Sequence, residues 1–225
     1  GQNGTEVAKE AADMVLLDDN FSTIVAAVEE GRSVFDNLIK FIVWTLPTNL
    51  GEGLVILAAV FAGVTLPILP IQILWINMST AVLLGLMLAF EPREADIMER
   101  SPRNPKLPIL TGQMVFRIFF VGILMLIGAF GLFELAELRG VNVDRARTIA
   151  VNVFIFTEIF YLFNSRSLHY SVFRIGFFTN PWAFAGVGVM VVLQLLFTYL
   201  PQANYIFQSA PLELLDWVKI LAFAM

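Results

Sequence analysis

The apolar residues of this chain come in long blocks, and that pattern constrains the fold more than any other feature. Six stretches, at about 38–64, 71–90, 115–138, 148–163, 182–200 and 212–225, carry few or no charges and are separated by short charged or proline-containing segments. A helix that crosses a bilayer needs about 20 such residues. Backbone in hydrocarbon must bond to itself, so blocks of this kind resolve as helices. The alternating segments of a membrane barrel, roughly ten residues each, do not appear. Composition agrees: 58% of the 225 residues are hydrophobic and 15% charged, whereas soluble domains are about a quarter charged. The expected fold is an all-α polytopic membrane helix bundle of six apolar helices, the last one truncated, with a short α/β remnant of a soluble domain at the N-terminus.

Residues 1–19 are polar and mixed, without the pattern of a signal peptide. Thr5 to Asp13 suits a short helix. Met14-Val15-Leu16-Leu17, ended by Asp18-Asp19-Asn20, suits a buried strand. One helix and one strand cannot make a core, so this piece reads as the end of a larger domain. Asn20 or Ser22 can cap the next helix. Ile24, Val25, Val28, Val34, Phe35 and Leu38 give that helix an apolar face, and it runs without a break into the first apolar stretch. Residues 20–37 therefore read as a stalk and 38–225 as the membrane region. The last stretch has 14 residues. At 1.5 Å per residue it covers roughly 21 Å of a core about 30 Å thick. The expectation is a chain cut at both ends.

Lys and Arg counts set the expected orientation. Lys9, Arg32 and Lys40 precede or open the first span; Arg93, Arg100, Arg103 and Lys106 lie in the 91–112 loop, and Arg166 and Arg174 in the 164–181 loop. The other side has Arg139, Arg145 and Arg147, nine against three. The N-terminus and those two loops are expected to be cytoplasmic. Pro92, Pro102, Pro105 and Pro108 prevent the 91–112 loop from forming one helix. It is either a solvated connector or a docking surface for another domain.

Two glutamates, Glu52 and Glu158, lie deep within spans and have no Lys or Arg close by in the same stretch. A mid-membrane charge costs roughly 2.5–3.5 kcal/mol on insertion scales, so such residues face polar interiors. Asn49 and Glu52 share a helix face, as do Asn77 and Thr80. Counted at 1.5 Å per residue from the far-side loops, Glu52, Thr80 and Glu158 lie roughly 18, 15 and 16 Å deep. Three spans thus carry oxygen-bearing groups to one level, a set suited to a hard cation or to protons. The bland alternative is polar glue between helices, and Gln194 is best read that way. Glu134, Glu137, Glu213 and Asp216 read as interfacial. Pro47 frees the carbonyl of Val43, and Gly51 and Gly53 permit close approach of a neighbour.

The chain has no cysteine and one histidine, His169. Disulfides and thiolate metal sites are excluded, and a zinc site has no support. No glycine-rich phosphate loop, no nucleophile with its base and no nucleic-acid signal is present, so there are no catalytic residues in this chain.

Several runs resemble the P-type cation-transporting ATPases, particularly the calcium-pump-like branch. They are Gly4-Thr5-Glu6-Val7-Ala8-Lys9, Ala12-Asp13-Met14-Val15-Leu16 with Asp18-Asp19-Asn20-Phe21, Val28-Glu29-Glu30-Gly31-Arg32, Asn49-Leu50-Gly51-Glu52, Leu74-Trp75-Ile76-Asn77 and the 91–103 loop. The resemblance implies that residues 1–19 end the phosphorylation domain and that the six stretches are the fifth to tenth membrane helices. It implies cation binding at Asn49, Glu52, Asn77, Thr80 and Glu158. Calcium pumps of this family place an aspartate directly after the Thr of the sixth helix, where this chain has Ala81. That departure leaves the ion open. The Asp-Lys-Thr-Gly-Thr phosphorylation motif and the Gly-Asp-Gly segment are absent, so ATP and Mg2+ are expected to bind outside this chain. The implied partners are the lipid bilayer, the N-terminal part of the same polypeptide and the transported cation, with no nucleic acid. Two other readings stay open: a non-catalytic membrane subunit or passive ion pathway, and a bundle whose glutamates are relics.

Overall fold

The computed structural model describes residues 3–17, 20–104 and 106–225. They form helices and connecting segments, with no strand among the described residues. A short helix α1 (Glu6–Glu10) starts on the Thr5 side chain, which accepts from the Ala8 amide at 3.3 Å. The expected strand at residues 14–17 does not form. Met14 and Leu17 are exposed, so the side chains lack the cover that a buried strand requires. Asp18 and Asp19 lie outside the described residues.

Helix α2 (Phe21–Ala62) is continuous over 42 residues, joining the expected stalk to the first span. Asn20 caps it, its side chain accepting from the Ser22 amide at 3.0 Å. It ends at Gly63, whose φ of 66° is left-handed backbone that glycine adopts without strain. The Val64 amide then reaches back to the Ala59 carbonyl at 3.1 Å.

Helix α3 (Pro70–Leu83) begins on a proline and stops earlier than the apolar stretch does. From Gly85 to Phe90 the chain tightens into a 3₁₀ helix. A Cβ at Gly85 would sit 2.8 Å from the Trp44 ring and closer still to Phe41, so the backbone comes against α2 where a side chain would not fit. Helix α4 (Gly112–Leu138) starts on Thr111, and α5 (Val143–Ser165) on Asn142. Helix α5 is longer than its apolar core suggests, because Asn142 caps it ahead of Arg145 and Arg147 at the membrane boundary. A single turn, α6 (Val172–Ile175), is followed by α7 (Pro181–Tyr199), α8 (Pro201–Phe207) and α9 (Leu214–Ala224). Five segments are long and apolar enough to cross a membrane: α2, α3 with its 3₁₀ extension, α4, α5 and α7. Helix α9 is not among them.

Helix α5 is the most enclosed, with buried residues on every side from Ala146 to Ser165. Helices α2, α3, α4, α7 and α9 surround it. Lipid tails are as apolar as leucine, so close packing rather than water exclusion holds such helices together. Small residues provide that closeness between α2 and α4: a Cβ on Gly51 would lie 3.0 Å from the Met125 Cβ, and one on Gly122 3.1 Å from the Pro47 carbonyl.

The 91–112 loop folds back onto α2. Arg32 donates to the carbonyls of Ile97 and Arg100, both at 2.8 Å. Arg100 pairs with Asp36, Glu94 and Asp96. Lys40, buried, lies 3.5 Å from Glu94. Deeper, fully enclosed Arg166 at the end of α5 is saturated by Glu91, Thr179 and the Phe177 carbonyl. Such a pair tolerates burial because each hydrogen-bonding arm has a partner.

Candidate functional site

The inward stripe of α2 runs through Trp44, Thr48, Glu52, Val55 and Ala59, at intervals of three and four residues. That stripe meets α3 and α5 at mid-span. Glu52 is 4% exposed and Glu158 1%. Glu52 Oε2 accepts from Asn77 Nδ2 at 2.8 Å, and Glu158 Oε1 accepts from Thr48 Oγ1 at 2.7 Å. Asn77 also donates to the Ile73 carbonyl at 3.1 Å, which holds its amide along α3. Thr80 is buried, donating to the Ile76 carbonyl at 2.9 Å.

The remaining carboxyl oxygens, Glu52 Oε1 and Glu158 Oε2, are buried and have no hydrogen-bond partner. An unmet buried acceptor costs about 1–3 kcal/mol, and more when charged. Two enclosed carboxyls from two spans, each with one oxygen unmet, therefore call for a positive partner, a proton or a cation. Carboxyl, amide and hydroxyl oxygens are the donors hard cations take. Among the described residues no group of three or more His, Asp or Glu side chains is placed to hold a metal ion, and the carboxyls at this level are the two of Glu52 and Glu158.

Glu52 is thus bonded to Asn77 and Glu158 to Thr48, with Thr80 buried on α3, but Asn49 makes no such contact. Asn49 is exposed, and Thr48 points inward in its place. One residue along a helix turns the side chain by about 100°, which is enough to take Asn49 off the stripe.

Residues 65–225 match the family described as "Cation transporting ATPase, C-terminus". The chain belongs to this cation-transporting ATPase family. It is 58% identical over 224 residues to "Probable cation-transporting ATPase F" of Mycobacterium tuberculosis, covering 100% of this chain and 25% of that protein. It is 38% identical over 229 residues to "Cation-transporting ATPase pma1" of Synechocystis, covering 98% and 25%. It is 35% identical over 225 residues to "Calcium-transporting ATPase" of Bacillus subtilis, covering 100% and 25%. The chain therefore spans about a quarter of the length of the relatives it matches.

Within this ATPase region a second polar cluster lies nearer the far side. Trp75 donates to Gln194 at 3.1 Å, Gln194 to Asn152 at 3.1 Å, and Asn152 to the Thr148 carbonyl at 2.8 Å. All these groups find partners, so the cluster ties α3, α5 and α7 together, the role expected of Gln194. Glu213 and Asp216 pair with Arg145, and His169 is exposed. Trp44 and Tyr161 also bridge α2 and α5: Trp44 Nε1 donates to the Glu158 carbonyl at 3.1 Å and the Tyr161 hydroxyl to the Val43 carbonyl at 3.3 Å. Apolar periodicity alone makes Trp44 and Tyr161 core residues. Only the polar ends of the two rings signal more.

Proposed function

We propose that this chain is the transport region of an ATP-driven cation pump, with its ion pocket between α2, α3 and α5. The observation that carries the reading is the pair of enclosed carboxyls, each with one oxygen lacking a partner. The proposed ligand set is Glu52, Glu158, Asn77 and Thr80. Asn49 remains in it on resemblance alone, because another span must cover that face of α2 before Asn49 is enclosed. ATP and Mg2+ bind outside this chain and supply phosphoryl transfer. Residues 1–19 end the phosphorylation domain, 20–37 are the stalk and 38–225 the transport domain.

In the proposed cycle the N-terminal half of α2 tilts when the ATP-using part changes state. The tilt moves Glu52 against Asn77, Thr80 and Glu158, so that the pocket faces alternate sides. Glu52 and Glu158 hold the cation's charge and take protons when it leaves. The N-terminus and the 91–112 and 164–181 loops face the cytoplasm, as the excess of Lys and Arg there supports, and the host bilayer is the cell membrane. Ala81 leaves this pocket without the aspartate of calcium pumps, although the Bacillus subtilis relative is named for calcium. A monovalent cation, a proton and a divalent ion all fit the donor set.

Glu52→Gln in the complete protein is expected to abolish cation-dependent phosphorylation. Unchanged transport in that variant removes Glu52 from the site.

A further inference from the structure

Pro47 sits in the middle of α2 and brings no N–H to the carbonyl of Val43. Val43 is fully buried. A backbone acceptor left unpaired in hydrocarbon is unfavourable, and helices that carry such a proline borrow donors from neighbouring helices. Here the donor comes from α5: Tyr161, buried, places its hydroxyl 3.3 Å from the Val43 oxygen. Arg117 of α4 lies over the Tyr161 ring, 5.0 Å from its centre, and closes the other side.

The same short stretch of α2 holds α5 twice more. Trp44 Nε1 donates to the main-chain carbonyl of Glu158 at 3.1 Å, and Thr48 Oγ1 to its side chain at 2.7 Å. Val43, Trp44 and Thr48 therefore bind Tyr161 and Glu158 through three bonds, spaced along about one and a half turns of α2 and one turn of α5. The carboxyl that Thr48 orients keeps its second oxygen free for the pocket.

We propose that Tyr161 is a positioning residue: its hydroxyl takes up the carbonyl that Pro47 leaves without an intrahelical donor, and so holds α2 against α5 in the register at which Thr48 reaches Glu158. The inference rests on the pump reading and deepens it. Tyr161 touches no cation. It acts through the alignment of α2, and Pro47 is the reason that alignment needs a donor from outside the helix.

Tyr161→Phe removes only the hydroxyl. The test uses the complete protein titrated with calcium chloride and, in parallel, with sodium and potassium chloride, with phosphorylation from ATP as the readout. The concentration for half-maximal phosphorylation is expected to rise about fivefold, the effect of one net hydrogen bond, while the maximal level is kept. In a Pro47→Ala background residue 47 again supplies an N–H to Val43, and the shift is expected to shrink below about twofold. An equal shift in both backgrounds, or none in the Pro47 protein, overturns the proposal. Should Pro47→Ala not yield folded protein, Thr48→Val is the second background. There Tyr161→Phe should add nothing, and an additive shift overturns the proposal. An unmutated protein that is not phosphorylated from ATP with any of these salts or at any pH of a parallel pH series defeats the pump reading, and this inference with it.

Discussion

Gly186 in α7 shows how little room single positions have. A Cβ there would collide with the Leu83 carbonyl where α3 ends, whereas one on Gly188 would meet nothing within 4 Å. A backbone oxygen cannot swing aside as a side chain does. Gly186→Ala is therefore expected to destabilise the protein by about 1–3 kcal/mol, the usual effect of overpacking. Gly188→Ala is expected to stay within about 0.5 kcal/mol. Thermal unfolding in detergent compares the two, and equal midpoints would show that α3 and α7 do not touch. The inward turn of Thr48 in place of Asn49 belongs to this scale too: both are short polar residues beside Glu52, and their order along the helix decides which one reaches α5.

The 91–112 loop is an element whose form depends on charge. Prolines keep it from being a helix, and ionic contacts to α2 decide where it lies. The Asp96 carboxyl is held below the ordinary aspartate range, chiefly by hydrogen bonds from Arg100 and further by one from Tyr170. A carboxylate with a lowered folded value stabilises fully above its unfolded range. That contribution disappears as pH falls through the folded value. Measured against an unfolded reference peptide, which corrects for pepsin's own pH dependence, cleavage between Ile97 and Leu107 is expected to be slow at about pH 5 and faster at about pH 3, where the ordinary aspartate value has been passed and part of that contribution is lost. Arg100→Gln should give fast cleavage at both. A loop cut equally at both values with Arg100 present would mean that the clamp contributes nothing. The buried Arg166–Glu91 pair fixes the deeper end of the same loop, and Arg there suits multidentate bonding that Lys could not reproduce.

Across the whole molecule, the spans place the 91–112 loop and the 200–213 segment on opposite sides. Ala95 and Gln202 are exposed, and this chain contains no cysteine. In sealed inside-out vesicles a membrane-impermeant maleimide is expected to label Ala95→Cys but not Gln202→Cys, with the reverse in right-side-out vesicles. Labelling of both from one side would break the proposed orientation. The bundle around α5 also explains why a central helix with Thr148, Asn152 and Glu158 is tolerated in a membrane: Glu158 meets Thr48 of α2, Asn152 meets Gln194 and Thr198 of α7, and Thr148 accepts from the Ala210 amide between α8 and α9.

The first five spans, the long uninterrupted α2, the helix caps and the inward placement of Glu52 and Glu158 follow from local chemistry. Apolar length, a capping Asn and the penalty on a charge in hydrocarbon are properties of short stretches, and they read directly off the residues. The breakdown of α3 after Leu83, the absence of a strand at residues 14–17 and the exchange of Asn49 for Thr48 depend on what stands opposite. Gly85 yields to Phe41 and Trp44, no strand forms among the described residues for Met14 to Leu17 to join, and Thr48 finds Glu158. Those partners lie far away along the chain, so their approach is set by how the helices pack and by no local pattern.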